Sequence, residues 1–185
     1  MCKDAPSDQP PDAHRAPAKR HDAPAEPRFL GLRIARDGTW LYHSSPIARL
    51  ELVKLFASVL RREADGSYWL VTPVERGRIE VDDAPFVAVE LSAEGTGAER
   101  KVRLRTNLEQ WLTLGARHPL QVRRRAGEAA AAGPVPYVEV RAGLEARLAR
   151  PVYYELVELG EERQEEGRAR FGVWSEGCFF ALDEP

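Results

Sequence analysis

The sequence predicts an α+β protein, strand-rich, with a duplicated core and one long helix. Three observations carry that expectation. The phrases DGTWLYHSSPI, from Asp37, and DGSYWLVTPV, from Asp65, each run Asp-Gly, a hydroxyl residue, aromatic and apolar residues, then Ser/Thr-Pro. They bracket a segment of helical periodicity. Beyond them, apolar and polar residues alternate through FVAVELS and RKVRLRTN, as in a sheet with one wet face. Finally, a second strand–helix–strand pattern is expected over Tyr137–Leu159, so the chain reads as two related halves.

Composition bounds the rest. A chain of 185 residues makes one substantial domain or two small ones. With 43% hydrophobic and 30% charged residues it can bury a core in water. Net charge is -2 and the pI about 6.1, so no global basic field recruits nucleic acid or an acidic membrane. No apolar run is long enough to span a bilayer. Residues 1–27 hold six prolines and no Val, Ile, Leu or aromatic residue, and read as a disordered tail or a tethered interaction arm. They also lack the apolar stretch of a secretory signal. Cys2 lies in that tail and Cys178 in an expected strand, so no structural disulfide is expected and the expected compartment is the cytoplasm.

The elements follow in order. An N-terminal half, 28–80, opens with an extended stretch from Phe29, turns at Asp37-Gly38 and forms a strand over Thr39–His43. SSPIARLELVKLFASVLRRE then reads as the long helix, capped by Ser44 or Ser45, with Pro46 first and Arg61 and Arg62 last. After Asp65-Gly66, SYWLV is a second strand, ending at Thr72-Pro73. A sheet-rich half, 81–185, begins with a bend or edge at Asp82–Pro85 and a hairpin around AEGTGAE. LQVRRRAGEAAAAGPVP is a strand end followed by a loop. Tyr137–Arg141 reads as a strand, Leu144–Ala149 as a short helix and Val152–Leu159 as a strand. GEERQEEG is a polar loop, and RARFGVWSEGCFFAL supplies closing strands that turn near Ser175–Gly177.

No catalytic, cofactor or metal motif stands out. EGTGAER lacks the Lys-Ser/Thr of a phosphate loop, no His/Cys spacing suits zinc, and Ser44 and Ser45 serve as caps. On a helical wheel begun at Ile47, Arg49 falls at about 200°, near the centre of the apolar arc. A charge there must snorkel, pair with an acid, or face a polar junction that binds an anion. Glu75, Asp82 and Asp83 are the candidate acids. Adjacent carboxylates on a strand point to opposite faces, so Asp82 and Asp83 make a poor metal pair; pairing with Arg49 or Arg141 is expected instead.

Two long stretches, DGTWLYHSSPIARLELVKLFASVLRREADGSYWLVTPVERGRIEVDDAPFVAVEL and PYVEVRAGLEARLARPVYYELVELG with GVWSEGCFFAL, together with TN at 106–107, resemble a bacterial family of domains of unknown function numbered 1285. The family usually has Gly where this chain has Ser44, and Glu where it has Asp82. The resemblance implies an internally duplicated core and a C-terminal half loosely like pleckstrin-homology domains. It also implies a junction that binds a nucleotide-like ligand, and a role in signal transduction.

The expected function is therefore a cytoplasmic ligand-binding or sensory module without chemistry of its own and without a cofactor. Its partner would be a small anionic ligand, nucleotide-like ligands included, held where the halves meet. Arg49 and Arg141 would bind phosphate, Glu75 or Asp83 would orient them, and Thr72 and Asn107 would offer polar groups at strand ends. The alternatives are a protein-interaction module using exposed edge strands, or an enzyme with a carboxylate base such as Glu75.

Overall fold

The computed structural model describes residues 28–124, 133–165 and 168–183. The expected tail over 1–27 and the centre of the Ala/Gly-rich loop, 125–132, lie outside the described residues.

Asp-Gly turns shape the first sheet, as the repeated phrases predict. Asp37 Oδ1 accepts the Thr39 N–H at 2.9 Å, and Asp65 Oδ1 accepts both the N–H and the hydroxyl of Ser67, at 2.9 and 2.5 Å. Each carboxylate thus closes its own turn while Gly38 and Gly66 supply φ of +86° and +83°. The strands are β1 Phe29–Ile34, β2 Trp40–Tyr42, β3 Ser45–Pro46, β4 Leu60–Arg62, β5 Tyr68–Val71 and β6 Arg76–Val81. They lie in the order β3-β2-β1-β6-β5-β4, with β1 and β6 parallel and the other neighbours antiparallel.

The second sheet holds β7 Phe86–Glu94, β8 Lys101–Thr106, β9 Trp111–Thr113, β10 Leu120–Arg123, β11 Val135–Arg141 and β12 Leu144–Leu148. Its order is β10-β11-β12-β7-β8-β9, and here β12 and β7 are the parallel pair. In both sheets two three-stranded meanders meet through their first and last strands. The third sheet, β13 Glu161–Glu165, β14 Arg168–Ser175 and β15 Cys178–Ala181, is an antiparallel meander. One apolar cluster runs through everything, from Ile34, Trp40 and Leu60 through Phe86, Leu104, Val138 and Leu148 to Val173 and Phe180. The protein is a strand-rich α+β structure with two α-helices among the described residues.

Both helices differ from expectation. The long helix is only α1, Leu50–Ser58. At its front, Ser45 and Pro46 pair with Tyr42 and Leu41 instead of starting a helix. At its back, Leu60, Arg61 and Arg62 pair with Leu70, Trp69 and Tyr68, because the Asp65-Gly66 turn folds them onto β5. Two hairpins have trimmed the helix from both ends; their ladders outweigh helix propensity. What is left stacks Phe56 on the buried Trp40 ring, 6.2 Å between centroids.

In the second half, strand and helix exchange places. Leu144–Leu148 is a strand and α2, Arg150–Glu158, a helix, so the expected second strand–helix–strand unit is strand–strand–helix. Leu144, Ala146 and Leu148 are buried while Glu145 and Arg147 alternate with them, a period of two that five residues carry plainly. Pro151 sits in the first turn of α2, where proline is tolerated, and Val152 and Leu156 bury one face at i, i+4. EERQE is the strand β13 rather than loop. The expected hairpin of β7 and β8 forms, but a bulge between Ala88 and Glu90 turns Val89 outward, breaking the alternation.

Ser44 lies outside the helix, in the β2–β3 turn, where His43 and Ser44 have φ of 45° and 69°. A two-residue hairpin turn with both φ values positive favours Asn-Gly, so a glycine would relieve the left-handed backbone that Ser44 has to adopt. Ser44→Gly is expected to stabilise the protein by about 0.5–1 kcal/mol, read as a higher urea midpoint at unchanged m-value. The turn aspartates give a pH test. Thr39 hydrogen bonds lower the pKa of Asp37, and Ser67 hydrogen bonds that of Asp65. A lowered folded-state pKa means stability that is present above the ordinary aspartate value, near 3.9, and lost as pH falls through the folded value. Asp37→Asn/Asp65→Asn keeps both turn acceptors and removes the charge, so stability should fall less between pH 6 and pH 3 than in the parent.

Candidate functional site at the junction of the two halves

Beyond β6, the bend at Asp82–Pro85 carries the chain from the first sheet into the second. Asp82 faces outward and holds Arg33 through two bonds, 2.8 and 3.0 Å. Asp83 points the other way and its side chain is only 7% exposed. The Tyr137 hydroxyl donates to its Oδ1 at 2.7 Å, and Arg147 Nε lies 3.4 Å from Oδ2. Arg147 also donates to the Arg36 carbonyl at 3.1 Å. Beside them Arg123 grips Glu145 with two bonds, 2.7 and 2.5 Å, and lies 4.0 Å above the Tyr137 ring. A buried carboxylate of this kind is stable only with its partners in place. Asp82 and Asp83 thus pair with Arg33 and Arg147, not with the expected Arg49 or Arg141.

A few residues away, Asn107 ties the halves together. Its Oδ1 accepts the Val87 N–H at 3.0 Å, and its Nδ2 donates to the Gly38 carbonyl at 3.1 Å. The Asp37-Gly38 turn therefore docks on the second sheet. A Cβ on Gly38 would lie 2.6 Å from Asn107 Nδ2, so the approach needs glycine as much as the φ does. Lys54 of α1 adds an ion pair with Glu109 at 2.5 Å.

Arginines collect at the other end of the junction, where α1 runs into β4. Arg141 donates to the Ala57 carbonyl, and Arg61 to the Ser58 and Leu60 carbonyls at 3.3 and 2.8 Å. Burial, and then the neighbouring Arg61 charge, lower the Arg141 pKa; no acid offsets them. Arg141 Nε is buried without a hydrogen-bond partner. Arg62 stacks on Tyr68 at 5.6 Å and makes one long bond, 3.5 Å, to the Gly143 carbonyl. It lines a cleft of about 390 Å3 between the β4–β5 turn and the β11–β12 turn, together with Glu63, Gly66, Ala142 and Gly143. None of the three arginines has a carboxylate within salt-bridge distance among the described residues.

Three nominated residues lie elsewhere. Arg49 is the exposed residue that precedes α1, not part of an apolar arc, because the helix begins at Leu50. The Thr72 hydroxyl accepts the Glu75 N–H and donates to the Glu75 carbonyl, both at 3.0 Å, closing the β5–β6 turn. Glu75 itself pairs with Arg28 at the surface, 2.7 Å. Asp83, Asn107 and Arg141 do lie at the junction, but protein groups occupy their main contacts. Sequence reasoning missed Tyr137 and Arg147; the alternation of Glu145 and Arg147 with Leu144, Ala146 and Leu148 was the available signal. It also treated Arg61 and Arg62 as helix-end charges.

The comparisons with known proteins agree on kinship. An N-terminal domain of unknown function, DUF1285, matches residues 17–84, and the C-terminal domain of the DUF1285 proteins of unknown function matches residues 85–182. The chain belongs to the DUF1285 family. A solved DUF1285 family protein from Silicibacter pomeroyi DSS-3 is 43% identical, with a TM-score of 0.73 over 92% of this chain and 89% of that one. A second, from Shewanella baltica OS155, is 26% identical, with a TM-score of 0.53 over 70% of this chain and 92% of that one. No curated protein matches the chain. The two DUF1285 domains meet between Ala84 and Pro85, inside the bend that carries Asp83.

Asn107 gives this junction a direct test. Asn107→Ala leaves the Val87 N–H buried without an acceptor and releases the Gly38 turn. It should cost roughly 2 kcal/mol in denaturant unfolding. Asn107→Asp restores the acceptor alone and should recover only part of that loss.

Proposed function

We propose that this DUF1285 protein is a cytoplasmic binding or sensory module for a small anionic ligand, nucleotide-like ligands included, held at the junction of its halves. The observation that carries this reading is the uncompensated charge of Arg61, Arg62 and Arg141. The C-terminus of α1 presents about half a negative charge, which accounts for part of one guanidinium and not for three. An anion in or beside the Arg62 cleft would supply the missing charge and find bidentate donors. Contact with β4 of one half and the β11–β12 turn of the other would also couple binding to how the halves pack, which is what a sensory or signalling role requires. The common strand order of the two six-stranded sheets supports reading them as copies of one unit, despite the different helix positions. The six-stranded sheet β7–β12 followed by α2 supports the loose likeness to pleckstrin-homology domains. Strand addition by a partner protein has less support, because the edge strands β3, β4, β9, β10, β13 and β15 run only two to five residues.

Inorganic pyrophosphate and nucleoside diphosphates, each about 100-fold above Kd, should raise Tm by roughly 5–10 °C. Arg141→Ala should abolish the rise with pyrophosphate, which carries no ring, while Arg49→Ala should leave it intact. No shift with any of these anions, or a full pyrophosphate shift in Arg141→Ala, would overturn the assignment.

A further inference from the structure

A second place on the molecule is prepared for a different kind of ligand. Trp111, on β9, is 45% exposed. It borders a groove of about 670 Å3 between the β8–β9 edge, the segment after β9 and the β14–β15 turn. Arg103 and Arg105 approach its ring, at 5.8 and 6.0 Å from the centroid, but each is answered by a glutamate, Glu94 and Glu90. That cross-strand ladder explains their presence. It does not explain Arg117 or His118, which line the same groove. Arg117 is exposed, with no hydrogen bond or ion pair to another described residue. His118 Nδ1–H donates to the Glu139 carbonyl at 2.9 Å, which fixes the ring and leaves Nε2 as its acceptor. Glu176 is the one carboxylate among the residues that line the groove, and Arg117 is the cation there without a partner among the described residues.

The groove is also rigid. Buried Ser175 Oγ accepts the Val102 N–H at 3.0 Å and donates to the Leu114 carbonyl at 2.7 Å, joining the second and third sheets beneath it. Glu176 N–H donates to the Arg100 carbonyl and Gly177 N–H to the Ala98 carbonyl, at 2.8 and 2.9 Å, pinning the turn that forms one wall. An exposed aromatic platform, an uncommitted guanidinium and an oriented acceptor on a fixed frame form a recognition set.

We infer that this groove binds a planar aromatic anion. The ring stacks on Trp111, the carboxylate or phosphate takes Arg117, and an N–H or O–H of the ligand donates to His118 Nε2. The site is separate from the junction and does not depend on it.

The test is an NMR titration of the full chain, following the indole N–H signals of its four tryptophans, with Trp111 assigned through Trp111→Phe. The probes are AMP and salicylate, which carry a ring and a charge, ribose 5-phosphate, which has no aromatic ring, and adenosine, which has no charge. AMP or salicylate should shift the Trp111 signal saturably and bind at least about tenfold tighter than ribose 5-phosphate and adenosine. AMP alone would mark a nucleotide source, salicylate alone an aromatic carboxylate. Arg117→Ala, an exposed change that leaves the fold intact, should erase the advantage of the charged probe, and Arg141→Ala should not. Failure of both aromatic anions to shift Trp111, equal binding of ribose 5-phosphate, or indifference to Arg117→Ala would overturn the inference.

Discussion

A single carboxamide holds the two halves in register. Asn107 accepts a buried N–H of β7 and donates to the carbonyl of Gly38, so the first Asp-Gly turn is fixed to the second sheet. The amide offers an acceptor and a donor on separate atoms, one for each partner, and glycine lets the turn come close enough. Around this contact the Asp83–Tyr137–Arg147 group and the Lys54–Glu109 pair complete a polar seam beside the continuous apolar core. The apolar contacts supply the bulk of the driving force, while the seam decides how the halves face each other.

That division of labour explains what the charged residues do. Acids at the seam are already bonded: Asp83 to Tyr137 and Arg147, Glu145 to Arg123, Glu109 to Lys54. Cations are in excess where α1 ends, and Arg141 carries the cost of partial burial without an acid to offset it. An uncompensated cation on a junction is a different kind of feature from a paired one, because a ligand can be what completes it.

Much of this was legible in the residues. The repeated Asp-Gly-hydroxyl phrases are turns closed by their own aspartates, and the β7–β8 hairpin, β11 and the closing strands lie where the pattern put them. The site was legible only in part. Asp83, Asn107 and Arg141 were picked out by type and position, and all three reached the junction. Arg49 was picked out from a helical wheel, which presumed that helical periodicity continues to Pro46. The wheel failed because the hairpin of β2 and β3 claims the residues it needed.

By itself the sequence determined the features that depend on near neighbours: which residues turn, which alternate, and where glycine must allow a left-handed backbone. Tertiary structure decided what depends on competition between alternative partners for the same segment. Leu60–Arg62 have the pattern of a helix end, yet β5 offers them a ladder of hydrogen bonds, Leu60 takes a place in the core, and they become strand. Arg61 and Arg62 consequently leave the helix and join Arg141, eighty positions along, at a junction that no local pattern encodes. Local chemistry sets what each segment can be, and the free energy of the whole packed core selects among those options.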